Sequence, residues 1–158
     1  MSKVFIGIDP GLTGAVAFLG EDGDFLLWDT VTILKGSGSV KSEVNASALY
    51  QHLMKVSQQT AVAVLERVNS MPGQAASSTF SLGDSFGTAR ACLACAGIPT
   101  TYVTPQTWKK HFKLTSDKEE ARALAIKLYP TAELHLKKHV DRAEALLMAT
   151  YCKQITEK

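Results

Sequence analysis

The sequence predicts a mixed α/β fold: a five-stranded sheet with helices on both faces. Three observations carry this reading. The first 34 residues hold three strand-like segments separated by turn residues. Two later apolar strands then alternate with helical patterns. One of these, Ala61–Leu65, is continuously apolar, as a strand covered on both faces must be. With 158 residues, 46% hydrophobic and 20% charged, the chain has the balance of a globular domain, read as one unit over residues 1–158. Disordered, collagen-like and coiled-coil classes are excluded. No apolar run reaches the ~18–20 residues of a membrane span. Asp9 interrupts the apolar N-terminal stretch, which argues against a signal peptide, so a cytoplasmic location is expected.

The elements follow in order. Val4–Asp9 is apolar and β-branched, Gly14–Leu19 returns after a Gly-rich turn, and Glu21-Asp22-Gly23-Asp24 is a hairpin signal before a third strand, Phe25–Leu34. Lys35–Ser42 reads as a Gly/Ser loop. Asn45 or Ser47 caps a helix to about Ser57, with Ala48, Leu49, His52, Leu53 and Val56 on one face. After Ala61–Leu65, the polar segment Glu66–Ser78 leads to a helix over Thr79–Ala96, ended by Gly97 and Pro99. Thr100–Val103 is the fifth strand. Thr104-Pro105 opens a short helix, since Pro is tolerated in a first turn. Ser116, with Glu119 three residues on, reads as a capping box for Asp117–Leu128. Residues 131–139 form a basic linker, and the last helix runs from Val140 to about Lys153.

Cys92, Cys95 and Cys152 form no even framework and read as reduced, buried thiols; the Cys92/Cys95 pair lacks the second pair a zinc site needs. The net charge of +2 hides an asymmetry: residues 1–100 carry 6 basic and 8 acidic side chains, residues 101–158 carry 11 and 7. A basic C-terminal third fits either a solvated helix surface or a nucleic-acid face.

Four acids stand where water is not expected. Asp9 and Glu66 each end an apolar strand, and Asp141 and Glu144 share one face of the last helix at spacing i, i+3, followed by the apolar run Ala145–Ala149. Each alone has an ordinary explanation, as a turn residue or a partner of the helix dipole. If the first and fourth strands are neighbours, however, Asp9 and Glu66 meet at their carboxyl ends, where α/β sheets bind ligands. With the last helix packed there, four carboxylates converge, and either protons or cations must neutralise them. Two Mg²⁺ ions match the charge and the all-oxygen ligand set, and such pairs serve phosphodiester cleavage. Neither a dinucleotide fingerprint nor a Gly-Lys-Ser/Thr phosphate loop is present. His52 reads as a core residue, and His135 and His139 as solvent-facing linker, with His139 near enough to Asp141 to be weighed as a proton donor or outer ligand.

The segments Ile6-Gly7-Ile8-Asp9-Pro10-Gly11, Leu65-Glu66-Arg67-Val68, Thr104-Pro105-Gln106-Thr107-Trp108-Lys109-Lys110 and Asp141-Arg142-Ala143-Glu144-Ala145-Leu146-Leu147 together resemble the RuvC family of Holliday junction resolvases, within the ribonuclease H-like superfamily. The resemblance spans nearly the whole chain, and the C-terminal motif looks more like phage-type members. It implies a ribonuclease H-like core and a homodimer making paired nicks in branched DNA. It places catalysis and metal binding on Asp9, Glu66, Asp141 and Glu144, with two Mg²⁺ per site and Mn²⁺ able to substitute. No organic cofactor and no membrane are implied. Lys109, Lys110 and Lys113 are then placed to meet DNA phosphates, whereas Trp108 reads as core. Phe80, Leu82, Phe86 and Leu93 fit either a dimer face or the internal core.

The chain departs from cellular members in two places: its fourth acid is Glu144 rather than Asp, and Asn69 stands where they carry an aromatic, leaving Met71 or Phe80 as wedge candidates. The alternatives are a non-catalytic branched-DNA-binding dimer and a ribonuclease H-type nuclease on RNA–DNA hybrids. An actin-like nucleotide-binding reading of Asp9–Gly14 needs two domains, more than this length holds.

Overall fold

A computed structural model describes residues 2–35, 41–57 and 60–158. The first three strands, β1 (Lys3–Asp9), β2 (Ala15–Gly20) and β3 (Phe25–Asp29), form an antiparallel meander. Gly23, at φ 93°, makes the β2–β3 turn, where Gly20 N–H donates to the Asp24 carbonyl at 2.8 Å. β6 (Thr60–Glu66) pairs parallel with β1, and β7 (Thr100–Val103) pairs parallel with β6, giving the order β3-β2-β1-β6-β7. The expected mixed five-stranded sheet with helices on both faces is the observed one.

The third strand is shorter than expected. It ends at Asp29 because the chain turns there: Thr30 N–H donates to Gly14 and Asn45 N–H to Val31. Thr32–Lys35 (β4) instead pairs with Lys41–Val44 (β5) as a separate hairpin. The ends of the expected Gly/Ser loop are therefore strands, and residues 36–40 lie outside the described residues.

Alternation along β1 sorts its side chains onto two cores. Val4, Ile6 and Ile8 face one side, with α1 (Ala46–Met54) and α2 (Ala76–Cys95) packed over it through Leu49, Leu53, Ala89 and Leu93. Phe5 faces the other side, where α3 (Pro105–His111), α4 (Lys118–Leu128) and α5 (Val140–Thr156) supply Trp108, Ala121, Ala125, Leu146 and Leu147. Each large side chain so buried contributes ~2 kcal/mol of hydrophobic stabilisation.

Local chemistry sets the helix starts. Asn45 caps α1, accepting from Ala48 N–H at 3.1 Å, and Thr104 caps α3 with Pro105 in its first turn. In α4 the cap is Asp117, not Ser116: its Oδ1 accepts from Glu119 N–H at 2.9 Å, while the Glu119 carboxylate pairs with Arg122 instead of closing a box. α2 begins three residues before the expected Thr79, and no side chain caps it.

The expected linker 131–139 is partly core. Leu134 is fully buried and a 3₁₀ turn over Lys137–His139 buries His139, whose Nδ1 accepts from Leu136 N–H at 3.2 Å. The solvent-facing reading of His139 is thus corrected: the backbone at Leu136 holds its ring inward. Cys92 and Cys152 are buried, but Cys95 is exposed, because it falls on the outer face of the last turn of α2. α2 also divides the four candidate dimer-face residues. Leu93 is core, Phe86 is half-buried against the Tyr102 ring at 5.9 Å, Leu82 is half-buried and Phe80 is exposed.

α5 decides where the acids fall. It starts beside the carboxyl end of β1 and passes directly over Gly7. A Cβ built there would come within 3.0 Å of the Ala145 carbonyl oxygen, the Ala149 amide nitrogen and the Met148 carbonyl carbon. Glycine thus permits backbone to lie on backbone. The first turn of α5 is clamped to the sheet edge by Arg142, whose Nε and Nη2 donate to the two Asp29 oxygens at 2.7 and 2.8 Å.

Candidate active site

The parallel β1–β6 register sets Ile8 beside Leu65, so the next residues, Asp9 and Glu66, end their strands at the same edge of the sheet. α5 brings Asp141 and Glu144 over the same edge. Asp9, Glu66 and Glu144 are buried, at 8%, 9% and 6% exposure, and Asp141 is half-buried. One carboxylate oxygen from each of Asp9, Asp141 and Glu144 lies within 4.8 Å of the others. Glu66 stands at the edge of this trio. Its Oε2 accepts a hydrogen bond from the Trp108 indole at 2.8 Å, inside the core. All four acids line one open groove.

Burial pushes the Asp9 carboxyl well above its ordinary 3.8, reinforced by the charges of Glu66, Glu144 and Asp141 and by a hydrogen bond to Asp141. Glu66 is also raised, by burial first and then Glu144, against the Trp108 hydrogen bond and the Lys109 and Lys118 charges, which lower it. Burial and mutual repulsion oppose ionisation of this cluster, and a bound cation would offset both. Its donors are all carboxylate oxygens, which suits hard divalent cations such as Mg²⁺ and Mn²⁺.

These shifts carry a sign for stability. Asp9 and Glu66 hold protons in the folded chain at pH values where the unfolded chain, titrating near 3.8 and 4.5, has released them. That contribution is complete below the unfolded values and is lost as pH rises through the folded ones. The groups facing Asp9 are Glu66 from β6, and Asp141 and Glu144 from α5, with Lys109 and Lys118 bordering the same groove. Without divalent cations, wild-type thermal stability should therefore fall relative to Asp9→Asn as pH rises from the acid range to neutrality. Added Mn²⁺ should restore it. A wild-type-to-variant difference that ignores pH would refute the coupling.

The three lysines expected to meet DNA are not equivalent. Lys109 reaches into the groove, its Nζ 3.3 Å from Glu144 Oε2. Lys110 is exposed on α3, and Lys113 is exposed just beyond it, at φ 58°; neither lines the groove. Lys118, at the start of α4, does line it, although nothing in the sequence singles it out. Its position follows from how α4 packs on α5, which no local pattern encodes. Trp108 is fully buried, as its core reading requires, but its bond to Glu66 has no sequence signal. The opposite wall comes from the start of α2 and includes Phe80, 72% exposed; Met71, 67% exposed, does not line the groove. His139 does not line it either.

The sheet order and the helices on both of its faces define the class of fold, which is ribonuclease H-like α/β. Within that class the fold is RuvC-like. A Thermus thermophilus RuvC structure matches with 14% identity and a TM-score of 0.54, covering 99% of this chain and 97% of that one. T. thermophilus RuvC in complex with a Holliday junction substrate matches with 13% identity and a TM-score of 0.55, covering 98% and 96%. No family model and no curated protein matches the sequence.

Proposed function

We propose that residues 1–158 form one nuclease domain: a divalent-metal-dependent, structure-selective DNA endonuclease that resolves Holliday junctions by paired nicks, acting as a homodimer. The observation that carries this reading is the trio Asp9, Asp141 and Glu144, with oxygens within 4.8 Å of one another on the floor of an open groove. Support comes from the likeness of fold to RuvC, one structure of which holds a Holliday junction substrate. Among the described residues, no helix is long and apolar enough to cross a membrane.

The four acids would hold two Mg²⁺ or Mn²⁺ ions. When bound, such a pair supplies the chemistry of phosphodiester hydrolysis, activating water for attack on phosphorus and stabilising the leaving 3′-oxygen. The chain's own residues do the rest. The rigid carboxyl end of β1 fixes Asp9, and the clamped first turn of α5 fixes Asp141 and Glu144. Lys109 and Lys118, which line the groove, offset its negative charge and would meet a backbone phosphate. Lys110 and Lys113, exposed and outside the groove, would hold the flanking duplex.

The function is tested by offering labelled four-way junction, flap, fork, linear duplex and RNA–DNA hybrid with Mg²⁺ or Mn²⁺. Symmetric paired nicks in the junction are expected. Junction binding without nicking under any divalent cation, or selective cutting of the hybrid, would overturn it. For the outer lysines, Lys110→Ala with Lys113→Ala should weaken junction binding. It should also flatten the dependence of binding on log salt, by ~1 for each phosphate that a lysine had neutralised. The cleavage rate at saturating enzyme should stay unchanged. An unaltered salt slope would remove both lysines from the interface.

A further inference from the structure

Packing alone does not explain Trp108. It projects from α3 and is fully buried in the core that the sheet shares with α4 and α5, where a phenylalanine would bury similar apolar surface without carrying a polar atom inward. The indole N–H is a donor only, and leaving it unpaired in a core is costly. Here it is spent on one acceptor, Glu66 Oε2, at 2.8 Å and forty-two positions away in the chain. The donor is held rigidly: Thr104 caps α3, Pro105 fixes its first turn, and the ring is locked by the core. Glu66 is also the one acid of the four outside the compact trio. We propose that Trp108 is a positioning residue of the acid site. Its indole fixes the Glu66 carboxylate through one oxygen and so sets how Glu66 approaches a cation held by the trio. This rests on the metal-dependent reading above. Hydrogen-bonded partners of this kind typically change metal affinity or activity by about 10- to 100-fold when removed.

The test uses the full chain, with Mn²⁺ binding measured by calorimetry without DNA. Trp108→Phe keeps a ring and removes the donor. It should weaken Mn²⁺ binding by about 10- to 100-fold and raise by the same factor the Mn²⁺ concentration giving half-maximal junction cleavage. In a Glu66→Gln background the same substitution should change Mn²⁺ binding no further. Wild-type-like Mn²⁺ binding by the Trp108→Phe variant, or an equal loss in the Glu66→Gln background, would overturn the proposal, the second by showing that Trp108 acts through packing. A measurement on the unaltered chain covers a variant that fails to fold. The Trp108 indole N–H resonance should shift on Mg²⁺ addition, with Trp28 as the internal reference; a resonance indifferent to Mg²⁺ also overturns it. If the wild type binds Mn²⁺ yet cuts no branched DNA, the nuclease reading fails, while the calorimetric cycle still decides the role of Trp108.

Discussion

The Asp9→Asn variant should bind a four-way junction as tightly as the wild type and cleave it at least ~10³-fold more slowly, a loss of about 4 kcal/mol in transition-state stabilisation. Asn is nearly isosteric with Asp and sits in the same place at the end of β1, so the fold and the groove are retained. What disappears is a negative oxygen at the centre of the cluster. Asp9 is the acid on which the other three act: its carboxyl is raised by burial and by Glu66, Glu144 and Asp141 together. Replacing it relieves repulsion, so the variant should be as stable as the wild type or more so at neutral pH without cations. The same change lowers affinity for the ions on which hydrolysis depends. Lost cleavage with higher cation-free stability is a combination that damage to the fold does not produce. Cleavage is read on a labelled junction with Mg²⁺ under single-turnover conditions, binding by gel shift in the absence of divalent ions. Undiminished cleavage would remove Asp9 from the catalytic set and the four-acid mechanism with it.

The second large effect is on folding. Gly7→Ala should destabilise the protein by roughly 3 kcal/mol or more, the upper range for overpacked sites. The added methyl would meet three backbone atoms of α5 at under 3.0 Å. A side-chain neighbour could rotate away, but a helix backbone moves only as a whole. The helix must then lift from β1, giving up packing by Ala145, Leu146, Met148 and Ala149, all fully buried. In urea, with a slope of about 2 kcal/mol per molar, the midpoint should drop by about 1.5 M. Gly83→Ala is the control. It lies in the middle of α2 with nothing within 4 Å of the added Cβ, and it should be neutral or stabilising by up to ~1 kcal/mol. A Gly7→Ala midpoint equal to that of the wild type would mean that α5 does not rest on β1 as described. Because Asp141 and Glu144 lie on the same helix, any folded Gly7→Ala protein should also bind Mn²⁺ more weakly.

Much of the fold is legible in the chain because its causes are local. Alternation and continuous apolar runs mark β1, β2, β6 and β7, and Asn45, Thr104 and Pro105 mark helix starts within one or two residues. Local pattern misleads where the deciding partner is distant. Phe25–Leu34 looks like one strand, yet it is divided because Thr30 and Val31 bond to Gly14 and Asn45. His139 sits in a basic, polar stretch and is buried by the 3₁₀ turn that leads into α5.

The four acids can be picked out by position alone. Carboxylates at strand ends and in the first turn of an apolar helix are out of place unless something positive meets them. The sequence by itself therefore determined most of the elements, the two-faced sheet and the choice of the four candidate acids. The tertiary structure decided which acids cluster: one oxygen from each of three lies within 4.8 Å of the others, while Glu66 is turned to Trp108. It also decided that Lys109 leans on Glu144 and that Lys118 enters the groove. The reason is physical. Propensity and periodicity act between neighbours along the chain. The approach of α5 to β1 depends instead on a missing side chain at Gly7 meeting a helix from the far end of the sequence, and only packing brings those two together.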